Sequence, residues 1–222
     1  MNLTLFDLDG TLLATDSDHA FGEFMVRSGW ADAVQYRRRN DEFFQQYQAG
    51  RLDIHAYIEF CTSPWRERSP ADLQRFSAAF MEQVVQAALP SASRALVREH
   101  QAAGDVVAIV TATNDFITRP IANLLAVSEL IATELERDSK GRATGAICGL
   151  PAFREGKVAR VQQWLAKRGQ DWGDFERTTF YSDSTNDLPL LERVSHPVAT
   201  QPGVELESIA HERGWPILKL FD

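Results

Sequence analysis

The run Val106-Val107-Ala108-Ile109-Val110 constrains the fold more than any other stretch of the chain. It is apolar at every position and mostly β-branched, the pattern of a strand covered on both faces in a parallel sheet. It stops at Thr111. Leu3 to Phe6 is a second strand-like run, ending abruptly at Asp7, and Thr178-Thr179-Phe180-Tyr181 is a third, ending at Ser182-Asp183. Shorter runs at Pro197-Val198-Ala199 and Pro216-Ile217-Leu218 are candidates for further strands. Helical periodicity fills the gaps. Ser91 to Ala102 precedes the second strand, with Gly104 as its stop, and Phe116 to Leu125 follows it, with Pro120 near its beginning. Val158 to Lys167 leads into the third, with Gly169 placed to end it. Strands alternating with helices predict a doubly wound α/β domain.

The stretch from about Thr15 to Leu89 breaks this rhythm. It carries helical patterns at His19–Ser28, Asp32–Gln48, Ile54–Phe60 and Asp72–Ala88, punctuated by Gly29-Trp30, Ala49-Gly50 and Thr62-Ser63-Pro64, with no obvious strand. The reading is a helical cap at 15–88 inserted after the first strand of a core formed by 1–14 and 89–222. Between Thr133 and Ile147, two extended pieces flank Asp138-Ser139-Lys140-Gly141, a β-hairpin turn signal.

Bulk chemistry narrows the function class. The net charge of −8 argues against a dedicated binder of nucleic acid or of an anionic membrane. Cys61 and Cys148 lie far apart, without partners at metal-ligand spacing, and read as free thiols in a reducing compartment. The opening residues carry no basic leader, and no apolar run approaches the roughly 20 residues of a membrane span. A cytoplasmic enzyme with no obligate protein partner is the expectation.

Three strand-like runs thus end in short polar groups: Asp7 with Asp9, Thr111, and Asp183 with Asp187. In an open parallel sheet the ligand crevice lies beyond the carboxyl ends of the strands, so these residues are expected to converge there. Several carboxylates within a few ångströms repel by roughly 4 kcal/mol per pair at about 4 Å and an effective dielectric near 20. Raised pKa values, a cationic side chain or a bound cation must offset this. Oxygen donors without matching His or Cys select a hard ion such as Mg²⁺.

Asp7-Leu8-Asp9-Gly10-Thr11 resembles the DxDGT first motif of the haloacid dehalogenase superfamily of phosphatases. Thr111 is similar to its second motif, Lys157 to its third, and Asp183-Ser184-Thr185-Asn186-Asp187 to its DxxxD fourth. The resemblance runs in order over the whole chain. A helical insertion between the first two motifs is similar to subclass IB, the phosphoserine-phosphatase-like group with a Rossmann-like core and a C1-type cap. The resemblance implies Asp7 as nucleophile, forming an aspartyl-phosphate, and Asp9 as general acid and base. It implies Thr111 and neighbouring backbone N–H groups, Ala112 included, as the phosphate cradle, and Lys157 as counter-charge. Mg²⁺ would be held by Asp7, the Asp9 carbonyl and Asp183, with Asn186 and Asp187 supporting it from behind. Lys157 also has a local argument: a lysine in the first turn of a helix opposes the dipole, which an anionic ligand would explain.

Two cap residues are candidates for the leaving group. Asp16 lies where this family carries an acid that recognises the substrate amine, and it also suits a helix N-cap. His19 follows the first motif closely enough to line the cap entrance. Arg37-Arg38-Arg39 reads first as a solvated face and second as an anion site. The family's serine-binding arginine aligns near Cys61, and its paired glycines after the second motif are replaced by Ala112-Thr113; both departures count against phosphoserine itself. The expected function is a Mg²⁺-dependent phosphomonoesterase on a small phosphate ester, amine-bearing in the manner of phosphoserine or histidinol phosphate. The alternatives are a phosphotransferase or phosphomutase on the same scaffold and, ranked lower, a non-catalytic phospho-ligand module.

Overall fold

The computed structural model describes residues 1–221. The chain opens with β1 (Asn2–Phe6) and passes into a helical stretch. Its members are α1 (Ser17–Arg27), α2 (Gln35–Gln48), α3 (Ile54–Thr62), α4 (Pro70–Phe80), a π-helical turn (Met81–Val85) and α5 (Gln86–Ala88). Then come α6 (Ser91–Ala102), β2 (Val106–Asn114), α7 (Asp115–Leu124), β3 (Glu129–Thr133), β4 (Leu135–Arg137) and β5 (Ala143–Ile147). The remainder is α8 (Glu155–Lys167), β6 (Arg177–Ser182), α9 (Leu188–Leu191), β7 (His196–Thr200), α10 (Val204–Arg213) and β8 (Ile217–Leu218).

Six parallel strands form one sheet in the order β3-β2-β1-β6-β7-β8. This is the doubly wound α/β arrangement, with the two strands that end at Asp7 and Ser182 side by side. Successive side chains of a strand serve opposite layers. Leu3 and Leu5 of β1, with Ala108 and Val110 of β2, enter one core cluster, while Phe6, Val107 and Ile109 enter the other. Two buried faces explain the uninterrupted apolar run. Fully burying a side chain of this size contributes roughly 1.5–3 kcal/mol. The second cluster continues without a break from Phe6 and Leu8 into Phe21, Phe43 and Phe80, so the helical stretch packs on the sheet layer through shared apolar contacts. Edge-to-face contacts of Phe21 with Phe76 and Phe80, at 5.3 and 5.0 Å, knit α1 to α4.

Thr4 is the polar exception inside β1. Its hydroxyl donates to Asp105 Oδ2 (2.9 Å), which also lies 2.7 Å from His100 Nδ1, while Asn2 donates to Oδ1 (3.1 Å). Burial pushes the Asp105 carboxyl up, but hydrogen bonds from His100, Thr4 and Asn2 outweigh it and hold the carboxyl below its ordinary value. A depressed folded pKa contributes stability that is present above the unfolded value, near 3.9, and lost as pH falls through the folded one. Asp105→Asn is therefore expected to lower stability by about 1–3 kcal/mol at pH 7. That deficit should vanish in strong acid, as urea midpoints measured across pH will check.

Four features differ from expectation. β2 runs on past Thr111 to Asn114, because its pairing with β3 slips: Val110 faces Ile131, and the next pair is Asn114 with Thr133. The extra residues, Thr111-Ala112-Thr113, form a bulge that re-aims side chains at the end of the sheet. β3 begins before the irregular stretch expected at Thr133, and α10 gave no clear periodic signal. The helix expected over Asp72–Ala88 starts at Pro70, behind a Ser69 cap, and contains the π-turn. The expected hairpin is present as antiparallel β4 and β5, turning through Gly141 at φ +77°.

Candidate active site

The segment after β1 is a tight loop. Asp7 N–H continues the sheet ladder to the Tyr181 carbonyl (2.9 Å), and the Leu8 carbonyl accepts from Leu12 and Leu13 N–H (both 2.9 Å). Gly10 sits at φ +71°, and the Asp183 carboxylate occupies the space a Cβ would need. Only glycine meets both demands. Thr11 then locks the loop to the end of β6: its hydroxyl donates to Asp183 Oδ1 (2.9 Å) and accepts from Asp183 N–H (3.0 Å).

Lys157, in the first turn of α8, is only 1% exposed. Its Nζ donates to Asp7 Oδ1 at 2.8 Å and to Asp187 Oδ2 at 2.7 Å. Ser182 donates to the same Asp187 oxygen (2.7 Å). Burial pulls the lysine pKa down, but Asp187 and Asp7 more than reverse this and hold the ammonium charged. One cation serves too many anions. Burial lifts Asp7 to about 7, with Asp187 and Asp9 adding repulsion and Lys157 opposing it. Asp183 is raised well above the ordinary carboxylate range by burial and by Asp7.

Asp9 is oriented by both halves of the molecule. Ser17 N–H at the start of α1 donates to its Oδ1 (2.7 Å), and the Thr113 hydroxyl of the β2 bulge donates to its Oδ2 (2.8 Å). Burial, then Asp16, lift its pKa to about 7. Thr111, buried beside it, accepts from Thr113 N–H at 3.2 Å. Asn186 does not reach toward the carboxylates; its amide donates to the Tyr47 carbonyl of α2 (2.9 Å), tying the fourth motif to the helical stretch.

Asp7, Asp9, Thr111, Ala112, Asp16 and His19 all line one cleft holding about 520 Å³ of empty space. Lys157 and Asp187 lie buried beneath Asp7, joined to it through the Lys157 ammonium, whereas Asp183 lines an adjoining opening with Asp9, Gly10 and Asp16. Asp16 caps α1, its Oδ1 accepting from His19 N–H at 2.7 Å. The His19 ring pairs with Asp41 (2.8 Å) and lies against Phe44, with centroids 4.8 Å apart. Arg37, Arg38 and Arg39 pair with Glu23 and Glu42 and lie outside the cleft lining, as a solvated face should. Sequence reasoning missed Thr113, whose role depends on the bulge, and Asp18, which shares the acidic run Asp16-Ser17-Asp18 with the cap. Phe43, Phe44 and Tyr47 of α2 line the cleft as well.

The donors suit Mg²⁺. They are all oxygen, Asp7 Oδ2 accepts no hydrogen bond among the described residues, and Asp7 and Asp183 repel one another. Among the described residues no three His, Cys, Asp or Glu side chains form a ready metal cage. Mg²⁺ needs none, since one or two carboxylates, waters and a phosphate oxygen complete its shell.

A family model for haloacid dehalogenase-like hydrolases matches residues 4–192. The chain belongs to this family. Among its relatives is a histidinol-phosphatase of Neisseria meningitidis, 44% identical over 217 residues that cover 98% of each chain. A phosphoserine phosphatase of Mycobacterium tuberculosis is 30% identical over 222 residues, 96% of this chain and 68% of the other. A Bordetella pertussis protein, described as of unknown function, superposes with a TM-score of 0.93 at 47% identity, covering 99% of both chains. A substrate-bound phosphoserine phosphatase superposes at TM-score 0.69 with 16% identity, over 97% of this chain and 91% of that one, a likeness of fold. This hydrolase therefore stands among phosphatases. No helix among its described residues is long and apolar enough to cross a membrane.

Proposed function

We propose that the chain is a Mg²⁺-dependent phosphomonoesterase acting through an aspartyl-phosphate on Asp7, with a phosphorylated amino alcohol of the histidinol-phosphate type as substrate. The observation that carries the chemistry is the state of Asp7: one carboxylate oxygen is held by Lys157 and the other has no donor among the described residues, in the lining of a cleft. In this reading Asp7 attacks phosphorus and forms a P–O bond as the ester P–O bond breaks. Asp9, lifted to about 7, gives its proton to the departing alkoxide and then takes one from the water that attacks the phosphoryl group, breaking its bond to Asp7 and freeing the carboxylate and inorganic phosphate. Thr111 and the N–H groups of the bulge hold phosphoryl oxygens, while Lys157 offsets charge gathered on Asp7. Asp7, the Asp9 carbonyl and Asp183 would hold Mg²⁺, which supplies charge neutralisation on the phosphoryl oxygens when bound. The helices at 15–88 serve as a cap that shields the reaction from bulk water.

The substrate class rests on charge. The cleft lining includes Asp7, Asp9, Asp16 and Asp18 but neither Arg nor Lys. A leaving group bearing a carboxylate, as in phosphoserine, has no counter-charge there. Histidinol phosphate carries an amine and an imidazole without a carboxylate, and the 44% identical relative bears that substrate's name.

A panel of phosphomonoesters assayed with Mg²⁺ tests the reading. Turnover should favour the phosphorylated amino alcohol over phosphoserine and fall to background with a chelator, returning when Mg²⁺ is restored. Unchanged turnover after chelation, or phosphoserine as the best ester, would contradict it.

A further inference from the structure

We propose that Asp18, with the Tyr57 hydroxyl beside it, is the specificity group that receives a protonated amine on the leaving group. The assignment rests on the phosphatase reading above and deepens it. Asp18 is the second residue of α1 and is 8% exposed. Its Oδ1 is buried and accepts no hydrogen bond among the described residues, although the side chain lines the cleft that contains Asp7. Burial, and after it repulsion from Asp16 and Asp9, pushes its carboxyl well above the ordinary carboxylate range, and only the Tyr57 hydroxyl opposes them.

A structural role does not account for this. An acid in the first turn of a helix favours the dipole, but α1 already has its cap in Asp16, whose oxygen is committed to His19 N–H. Burying a further carboxyl whose Oδ1 has no donor, beside two others, works against folding. A buried acid with one oxygen unsatisfied at the wall of a cleft is explained by a ligand that brings the missing donor. An ammonium fits, since it supplies donors and positive charge where neither Arg nor Lys lines the wall. The surroundings agree: Phe43 and Tyr57 meet edge to face at 5.2 Å in the same lining, an aromatic surface that suits a cationic or heteroaromatic group. Asp16 Oδ1 is committed to the helix cap while Asp18 Oδ1 has no such commitment, so the residue two positions on takes the role.

The test compares two phosphate esters of matched size, an amino alcohol phosphate and the same ester without its amine, on wild type and Asp18→Asn. The wild-type preference for the amine in kcat/KM should fall by about tenfold to hundredfold in the variant, mostly through KM, as expected for one charge-assisted hydrogen bond. An unchanged ratio would overturn the assignment. Should Asp18→Asn fail to fold, inhibition of the wild type by the free amino alcohol and by its deaminated analogue decides: much tighter inhibition by the amine supports Asp18, and equal inhibition refutes it. The two levels separate cleanly. A wild type that turns over both esters equally defeats only the amine site, whereas one that turns over no phosphomonoester defeats the phosphatase reading beneath it.

Discussion

Asp7→Asn is expected to abolish turnover, by a factor on the order of 10⁴ or more, while leaving the protein folded. The loss follows from chemistry: an amide oxygen is a poor nucleophile for phosphorus, and removing a nucleophile disables the groups that act with it. Folding should survive because Asn is isosteric and Lys157 keeps its contact with Asp187 at 2.7 Å. Stability should even rise. Asp7 is a buried carboxylate lifted to about 7 by burial and by its neighbours Asp187 and Asp9, so neutralising it removes repulsion that the ligand-free protein carries. Function and folding pull in opposite directions at this position. Turnover and thermal melting measured on the same preparation check both halves. A melting temperature well below wild type would show Asp7 to be structural instead.

Lys157→Met should do the reverse, losing activity and stability together. Lys157 is the buried cation between Asp7 and Asp187, at 2.8 and 2.7 Å, and Met fills much of its volume without its charge. Breaking a buried ion pair by removing one partner costs about 3–5 kcal/mol, because the remaining charges are left uncompensated. At roughly 2–4 °C per kcal/mol for a chain of this length, melting should fall by about 6–20 °C. The discriminating double variant adds Asp187→Asn. If charge imbalance is the cause, it recovers part of the lost stability, whereas a packing defect would leave the losses additive. A Lys157→Met protein with wild-type melting would contradict the electrostatic account.

The two layers of the protein were unequally legible. The runs at Leu3–Phe6, Val106–Val110 and Thr178–Tyr181 read correctly as strands because burial on both faces admits no charged residue and, as polar residues, only the β-branched Thr4, Thr178 and Thr179. Their ends marked the site, since each run gives way to polar residues at Asp7, Thr111 or Ser182-Asp183, even where the strand itself continues, as β2 does to Asn114. The β2 bulge was not legible. Thr111-Ala112-Thr113 looks like the end of a strand, and only the slipped pairing with β3 lifts Thr113 onto Asp9. β3 escaped because its first residues are only half-buried, so it lacks the run of buried residues that identified its neighbours. In the helical stretch, the sequence reading singled out Asp16 and passed over Asp18. Which of two acids caps a helix and which faces the cleft depends on where the first turn begins, and that was legible only to within a residue or two.

The central claim is that Asp7 carries the phosphoryl group, and trapping that species tests it most directly. The enzyme would be acid-quenched during turnover of its best phosphate ester with Mg²⁺ and treated with borohydride, which reduces an acyl phosphate to the alcohol. Peptide mass mapping then locates the reduced residue. Homoserine is expected at position 7, appearing only when substrate and Mg²⁺ are both present and absent from Asp7→Asn. Turnover with no reduced aspartate at position 7, or with reduction at Asp9 or Asp183 instead, would contradict the claim.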